Sequence, residues 1–130
     1  MKKTFLLWIL LLVSVPAVAH HGNSAYDETA RVTIKGVVTE FQWMNPHAYI
    51  YLDVTDASGK KVNWGIQSRN LSVLKRQGLS RQTFKVGDVI TVELFHHKEP
   101  DKNIGWATYI TTEDGHKFDL RPGNGVGIIE

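Results

Sequence analysis

His47 to Thr55 reads HAYIYLDVT, and its reading decides the fold. Ala48, Ile50, Leu52 and Val54 fall on one side of an extended chain; Tyr49, Tyr51 and Asp53 fall on the other. A period of two with apolar residues on one face is the mark of a strand laid on a core. Asn45-Pro46 before it is a turn signal. Asp56-Ala57-Ser58-Gly59 after it reads as a hairpin loop, and KVNWGIQ (Lys61 to Gln67) returns with Val62, Trp64 and Ile66 on one face. Upstream, Arg31 to Trp43 (RVTIKGVVTEFQW) is a strand with Val32, Ile34 and Val38 together. Its Gly36 marks a bend, a bulge or a close backbone approach. Downstream, Asn70 is an N-cap for a short helix reaching about Gln77, and Gly78 suits its left-handed end, with Leu79 packing back on Leu74. Val89 to Phe95 and Trp106 to Thr112 are two more strands, and Lys117 to Leu120 can pair back after the Glu113–His116 turn. Three strands, a helix and two strands is the order of a five-stranded OB-like β-barrel, with its helix between strands three and four.

The ends of the chain read differently. Lys2 and Lys3 precede an apolar run from Phe5 to Val15, and Ala17-Val18-Ala19 has the small-x-small pattern of a signal-peptidase site. The run is shorter than the ~20 residues of a membrane span. Residues 1–19 are therefore expected to be a signal peptide for the general secretory route to the periplasm, leaving no stable membrane anchor. Residues 20–30 read as an extended arm, 31–120 as the barrel domain and 121–130, with Pro122, Gly123, Gly125 and Gly127, as a flexible tail. Cysteine is absent, which excludes disulfides, thiolate catalysis and cysteine-held metals. The whole chain carries a formal charge of +2, but cleavage after Ala19 removes Lys2 and Lys3 and leaves the 13 acidic residues matched by as many basic ones. A neutral chain has no electrostatic funnel for nucleic acid and no polybasic membrane patch.

Several motifs together resemble a known family. These are A-H-H-G-x-S-A-Y-D (Ala19 to Asp27), V-T-I-K-G-V-V-T-E-F-Q-W-M-N-P-H (Val32 to His47) and the D-A-S-G hairpin with Trp64. L-x-x-x-G (Leu74 to Gly78), K-V-G-D (Lys85 to Asp88) and the final D-G (Asp114-Gly115) extend the pattern. The chain resembles an uncharacterised family of small exported bacterial proteins, a domain of unknown function. Its first strand is more loosely similar to that of the bacterial periplasmic OB-fold proteins. The resemblance implies export and a β fold, and no activity. The family pattern carries a glycine–proline stretch where this chain has His96 to Pro100, so it lends no role to His96 or His97.

Two constellations carry candidate chemistry. After cleavage, His20 bears the free α-amine; amine and ring Nδ1 can chelate one ion with His21 alongside, and His47 is a third ligand if the arm folds back over that end of the barrel. Nitrogen donors of this kind suit Cu(II), or Zn(II). The ordinary roles are a solvated terminus for His20 and His21, and for His47 a ring N–H that caps a loop carbonyl. His96 and His97 are neighbours on a strand and face opposite ways; His116 sits in a turn. The second constellation is Trp43, Tyr49 and Tyr51, placed where OB barrels bind ligands. It suits a small non-metal ligand or an exported protein partner, unless the arm covers the rings. No G-x-S-x-G, Walker or H-E-x-x-H pattern is present. The expectation is a binding or accessory protein without catalysis of its own.

Overall fold

The structure, a computed structural model, describes residues 25–123. The alternating stretch is β2 (Tyr49–Thr55). Ala48, Ile50 and Leu52 are buried, while Tyr49, Tyr51 and Asp53 are half-buried on the outer side. Val54, expected with the buried set, is only half-buried, because it is the last inward position before the Asp56 turn and packs at the rim of the core. In that turn Asp56 Oδ1 accepts from the Ser58 and Lys60 N–H groups at 2.8 and 3.0 Å, and Gly59 takes the positive φ of 82°.

The other elements are β1 (Tyr26–Gln42), β3 (Lys61–Gln67), α1 (Leu71–Arg76), β4 (Val89–His97), β5 (Ile104–Thr112) and β6 (Lys117–Asp119). The sheet order is β3-β2-β1-β4-β5-β6 with antiparallel neighbours. Gly65 to Gln67 of β3 then pair in parallel with Ile104 to Trp106 of β5, so the strands close into a barrel-like ring. The mainly β architecture and the helix between strands three and four are as the sequence pattern predicts. Ring closure pairs Gly65 to Gln67, part of the β3 edge that an open sheet would leave free. The inner face holds Val38, Ile50, Leu52, Ile66, Ile90, Val92, Leu94 and Ile110, all nearly inaccessible.

Gly36 is a close approach. A Cβ there would lie 2.7 Å from the Asp53 carbonyl oxygen of β2. Just beyond it, between Val38 and Glu40, the register shifts by one residue, and such a bulge bends the strand and sharpens its twist.

The helix forms as its ends dictate. Asn70 Oδ1 accepts from the Val73 N–H at 3.0 Å. At the other end the Leu79 N–H reaches the Leu74 carbonyl and the Gly78 N–H reaches Lys75, with Gly78 at φ 84°. That is the Schellman pattern, and it places Leu74 and Leu79 together in the core.

The N-terminal boundary differs from expectation. Tyr26 to Ala30 belong to β1 rather than to a separate arm, because Tyr26 pairs with His97 and buries its ring. Between Tyr26 and Arg31 the register shifts, so Asp27 to Ala30 bulge away from β4. Asp27 Oδ1 accepts from the Thr29 hydroxyl and N–H, which lowers the Asp27 carboxyl pKa. At the other end, Arg121 forks onto the buried Asp119 carboxylate, with Nη2 to Oδ2 at 2.6 Å. The expected signal peptide, His20, His21 and the last seven residues of the expected tail lie outside the described residues.

Candidate functional site

The N-P-H turn is a clamp between two loops. Asn45, joined to Pro46 by a cis peptide bond, accepts at Oδ1 from the Leu71 N–H at 3.0 Å, so it caps the first turn of α1 alongside Asn70. The Ala48 N–H reaches the Arg69 carbonyl and the Ser68 N–H reaches the Ala48 carbonyl. His47 completes the clamp: its Nδ1 lies 3.2 Å from the Ser68 carbonyl oxygen. A carbonyl only accepts, so Nδ1 carries the proton and donates. In the neutral ring that leaves the lone pair on Nε2.

Beside His47, an outer belt of side chains runs across the ring. The paired positions Tyr49↔Gln67, Gln67↔Trp106, Trp106↔Phe95 and Phe95↔Arg31 follow one another from strand to strand. Tyr26 lies across this belt. Its ring meets Trp106 edge-on at 5.7 Å and His97 at 6.0 Å, and its hydroxyl donates to Gln67 Oε1 at 2.9 Å. The Tyr49 hydroxyl approaches the same oxygen at 3.5 Å. Burial, and secondarily the neighbouring Tyr49, push the Tyr26 phenol pKa up to about 12. Tyr26 and Tyr49 thus share one acceptor, and Ala25 is moored by the Lys98 N–H at 2.9 Å. Trp106 Nε1, buried in this belt, has no acceptor among the described residues.

The predicted aromatic constellation splits. Tyr49 joins the belt. Tyr51 lies over Gly65, its cross-strand partner, with Cε1 3.4 Å from where a glycine Cβ would stand. Trp43 packs instead on Phe41 at 5.7 Å, and Phe41 leads to Phe84 and Phe118 at the core. Alternation explains the division, since Phe41 pairs with the inward Ile50 while Gln42 pairs with the outward Tyr49.

The two adjacent histidines diverge as alternation requires. His96 meets the inward Trp64 edge-on at 5.3 Å, and its Nδ1 donates to the His97 carbonyl at 2.7 Å. His97 lies outside against Tyr26, and its Nδ1 accepts from the Glu99 N–H at 3.0 Å. In neutral form His97 thus holds its proton on Nε2, the reverse of His47 and His96. His116 is exposed, with its ring 4.5 Å from Phe118. Among the described residues no three histidine or carboxylate side chains are grouped to hold a metal ion, and His47 is the one predicted ligand within them. Tyr26, Gln67 and Trp106 were missed as site residues. Their signal was an aromatic on the outward face at matching heights of β2, β4 and β5, with one more tyrosine just upstream of β1.

With this geometry in hand, comparison with known families places the chain. A model of a family of unknown function, DUF6152, matches residues 9–105, more than half of the sequence. The chain belongs to DUF6152. No curated protein matches it. The DUF6152 match spans the N-P-H clamp, the tyrosines of β2, the whole of α1 and β4, and stops one residue short of Trp106.

Proposed function

We propose that this DUF6152 protein is an exported, periplasmic binding or accessory protein without catalysis of its own, and that it binds Cu(II) or Zn(II) through His20, His21 and His47. The observation that carries the reading is the His47 tautomer. A metal-binding imidazole typically gives its second N–H to a carbonyl or carboxylate, which orients the ring and frees the other nitrogen. The Nδ1–H to Ser68 bond does this for His47 and leaves Nε2 for the ion. A second observation concerns reach. The mooring of Ala25 on Lys98 lies four residues after His21, and an extended chain covers at most ~3.3–3.6 Å per residue. The Tyr26 hydroxyl meets Gln67 Oε1, the atom that the Tyr49 hydroxyl also approaches, and Tyr49 is two residues along from His47.

The test is a calorimetric Cu(II) titration in a non-chelating buffer. It compares protein beginning at His20, a form with one extra residue before His20, His47→Asn, and His116→Ala as control. Asparagine keeps a donor for the Ser68 carbonyl but offers no imidazole. Acylation of the His20 amine in the extended form should weaken binding, as should His47→Asn; His116→Ala should change nothing. Affinity should rise with pH, since imidazole and amine bind metal only when deprotonated. Equal affinity for the extended and the His20 forms refutes the N-terminal chelate, and an unaffected His47→Asn removes the barrel ligand.

One observation favours a second reading, a non-metal small ligand or an exported protein partner on the aromatic face. Trp106 Nε1 is a buried donor without an acceptor among the described residues, in the same belt as Tyr26 and Tyr49. Quenching of tryptophan fluorescence by a ligand, abolished in Trp106→Phe and retained in His47→Asn, would select it over the metal.

A further inference from the structure

The charge of the chain is nearly balanced in sum and uneven in place. From Ser68 to Gly87 it carries Arg69, Lys75, Arg76, Arg81 and Lys85 and no acidic residue. Leu74, Leu79 and Phe84 anchor this stretch in the core. Lys75, Arg76, Arg81 and Lys85 are exposed between and beyond these anchors, and Arg69 is half-buried. The ion pairs among the described residues use Lys102, Lys117 and Arg121 and none of these five.

The stretch is fastened at both ends to one part of the chain. The Leu71 N–H donates to Asn45 Oδ1 at 3.0 Å, and the Gly87 N–H donates to the Val38 carbonyl at 2.8 Å. Between these fastenings the Phe84 ring meets Phe41 at 5.3 Å. Val38 and Asn45 are seven residues apart, at most about 25 Å of chain. The four exposed cations lie between the two fastenings, within a few screening lengths of one another, so their potentials add. Of the carboxylates around them, Glu40 stands opposite Tyr51 and accepts from the Gln42 amide. Asp88, Glu113 and Asp114 gather around a separate cleft past Lys85.

The two most exposed large apolar side chains among the described residues sit at the two fastenings. Met44, 47% exposed, precedes Asn45, and Val86, 76% exposed, precedes Gly87. The half-buried Trp43 adjoins Met44. A soluble polyanion would need the cations alone. Cations flanked by protruding apolar tips, with a tryptophan beside them, suit a bilayer surface, where lysine and arginine reach the head groups and apolar side chains enter the interface.

We propose that this face docks on an anionic lipid surface, with Lys75, Arg76, Arg81 and Lys85 on the head groups and Met44 and Val86 entering the interface. The contact is peripheral and reversible, and it needs neither the metal nor the aromatic belt.

The test is a vesicle flotation assay at low salt with the protein beginning at His20, which includes β1 through β6 and α1 and omits the apolar run from Phe5 to Val15. Vesicles of phosphatidylglycerol with phosphatidylcholine are compared with vesicles of phosphatidylcholine alone. A chelator is present throughout, so the result is independent of the metal. One variant is Lys75→Gln with Arg76→Gln and Arg81→Gln. A control of equal charge change, Lys35→Gln with Lys60→Gln and Lys61→Gln, removes exposed cations elsewhere. A third protein carries Met44→Ser with Val86→Ser. Thermal melts confirm that all of them fold. Each cation near an anionic surface is worth about fivefold in affinity, so the first variant should lose about a hundredfold and the control less than about tenfold. The serine pair should lose about tenfold. These losses, with binding to the anionic vesicles that falls as salt is added, support the docking face. No binding to anionic vesicles, equal binding to phosphatidylcholine alone, or equal losses in the two charge variants overturns it. A serine pair that binds unchanged overturns the lipid and assigns the cations to a soluble acidic partner.

Discussion

Tyr26→Phe isolates the bond that fastens the start of β1 to the ring. The ring contacts with Trp106 and His97 remain, and only the donor to Gln67 Oε1 is lost. A neutral hydrogen bond of this kind contributes a net ~0.5–1.5 kcal/mol, and the Tyr49 hydroxyl at 3.5 Å is too far to replace it well. The expected loss of about 1 kcal/mol at pH 7 lowers the melting temperature by roughly 4–8 °C in a domain of this size. The pH dependence makes the test sharper. The folded protein holds the Tyr26 proton up to about 12, whereas an unfolded tyrosine releases it near ~10. The raised value stabilises the fold fully below the unfolded pKa, and that stability drains away as pH rises from about 10 to 12. Solvent screening on the outer face reduces the full linkage of two units to about 1–2 kcal/mol. Urea midpoints for both proteins at pH 7, 9, 10 and 11 should show the wild type ahead at pH 7 and the gap closing above pH 10. The absorbance of tyrosinate in wild type minus variant should show one late titration. A gap that stays constant across the range, or no gap at pH 7, refutes the buried Tyr26–Gln67 bond.

Two of the strand glycines, Gly36 and Gly65, should respond differently to alanine. Gly36→Ala drives a methyl to 2.7 Å from a backbone carbonyl that cannot move freely, and should cost about 1–3 kcal/mol. Gly65→Ala meets only the edge of the Tyr51 ring at 3.4 Å, and should be neutral or stabilising by up to ~1 kcal/mol, since glycine weakens a strand interior; denaturant midpoints of the pair decide it. Leu52, fully buried at the centre of β2, should lose roughly 2–5 kcal/mol on change to alanine, read as a lower midpoint with an unchanged m-value. Asn70→Ala removes the acceptor of the Val73 N–H and should cost about 0.5–2 kcal/mol, visible as faster amide exchange in α1.

Much of the fold was legible because its elements follow local rules. Strict alternation in β2 gave the buried face, and Asn70 with Gly78 gave both ends of α1. Val54 shows where such rules stop, since alternation predicts direction and not depth, and a rim position can face inward without being enclosed. The start of β1 was illegible for a related reason. Residues 26–30 have no period because they bulge from β4, and Tyr26 is held there by partners 41 and 80 positions away in sequence, Gln67 and Trp106. The grouping of Trp43 with Tyr49 and Tyr51 drew on closeness in sequence. The N-P-H turn lies between them, and the strands on its two sides present those rings to different environments.

The N-P-H turn also shows why a motif can be distinctive without declaring a function. Asn45 caps α1, and His47 caps the Ser68 carbonyl; both bonds are structural, and together they fix the β1–β2 turn against the start of the helix. Yet the His47 bond that explains the residue structurally is the one that presents Nε2 for ligation. The two roles differ only at the far nitrogen. His97 illustrates the alternative: its Nδ1 is occupied as an acceptor, so its neutral ring has no lone pair free on Nε2, although it lies closer to the entering chain. Proximity to Tyr26 would favour His97 as a ligand, and hydrogen-bond direction favours His47. A third ligand argued from tautomer rather than from nearness is therefore the stricter form of the metal reading, because replacing His97 should leave Cu(II) affinity intact while His47→Asn should not.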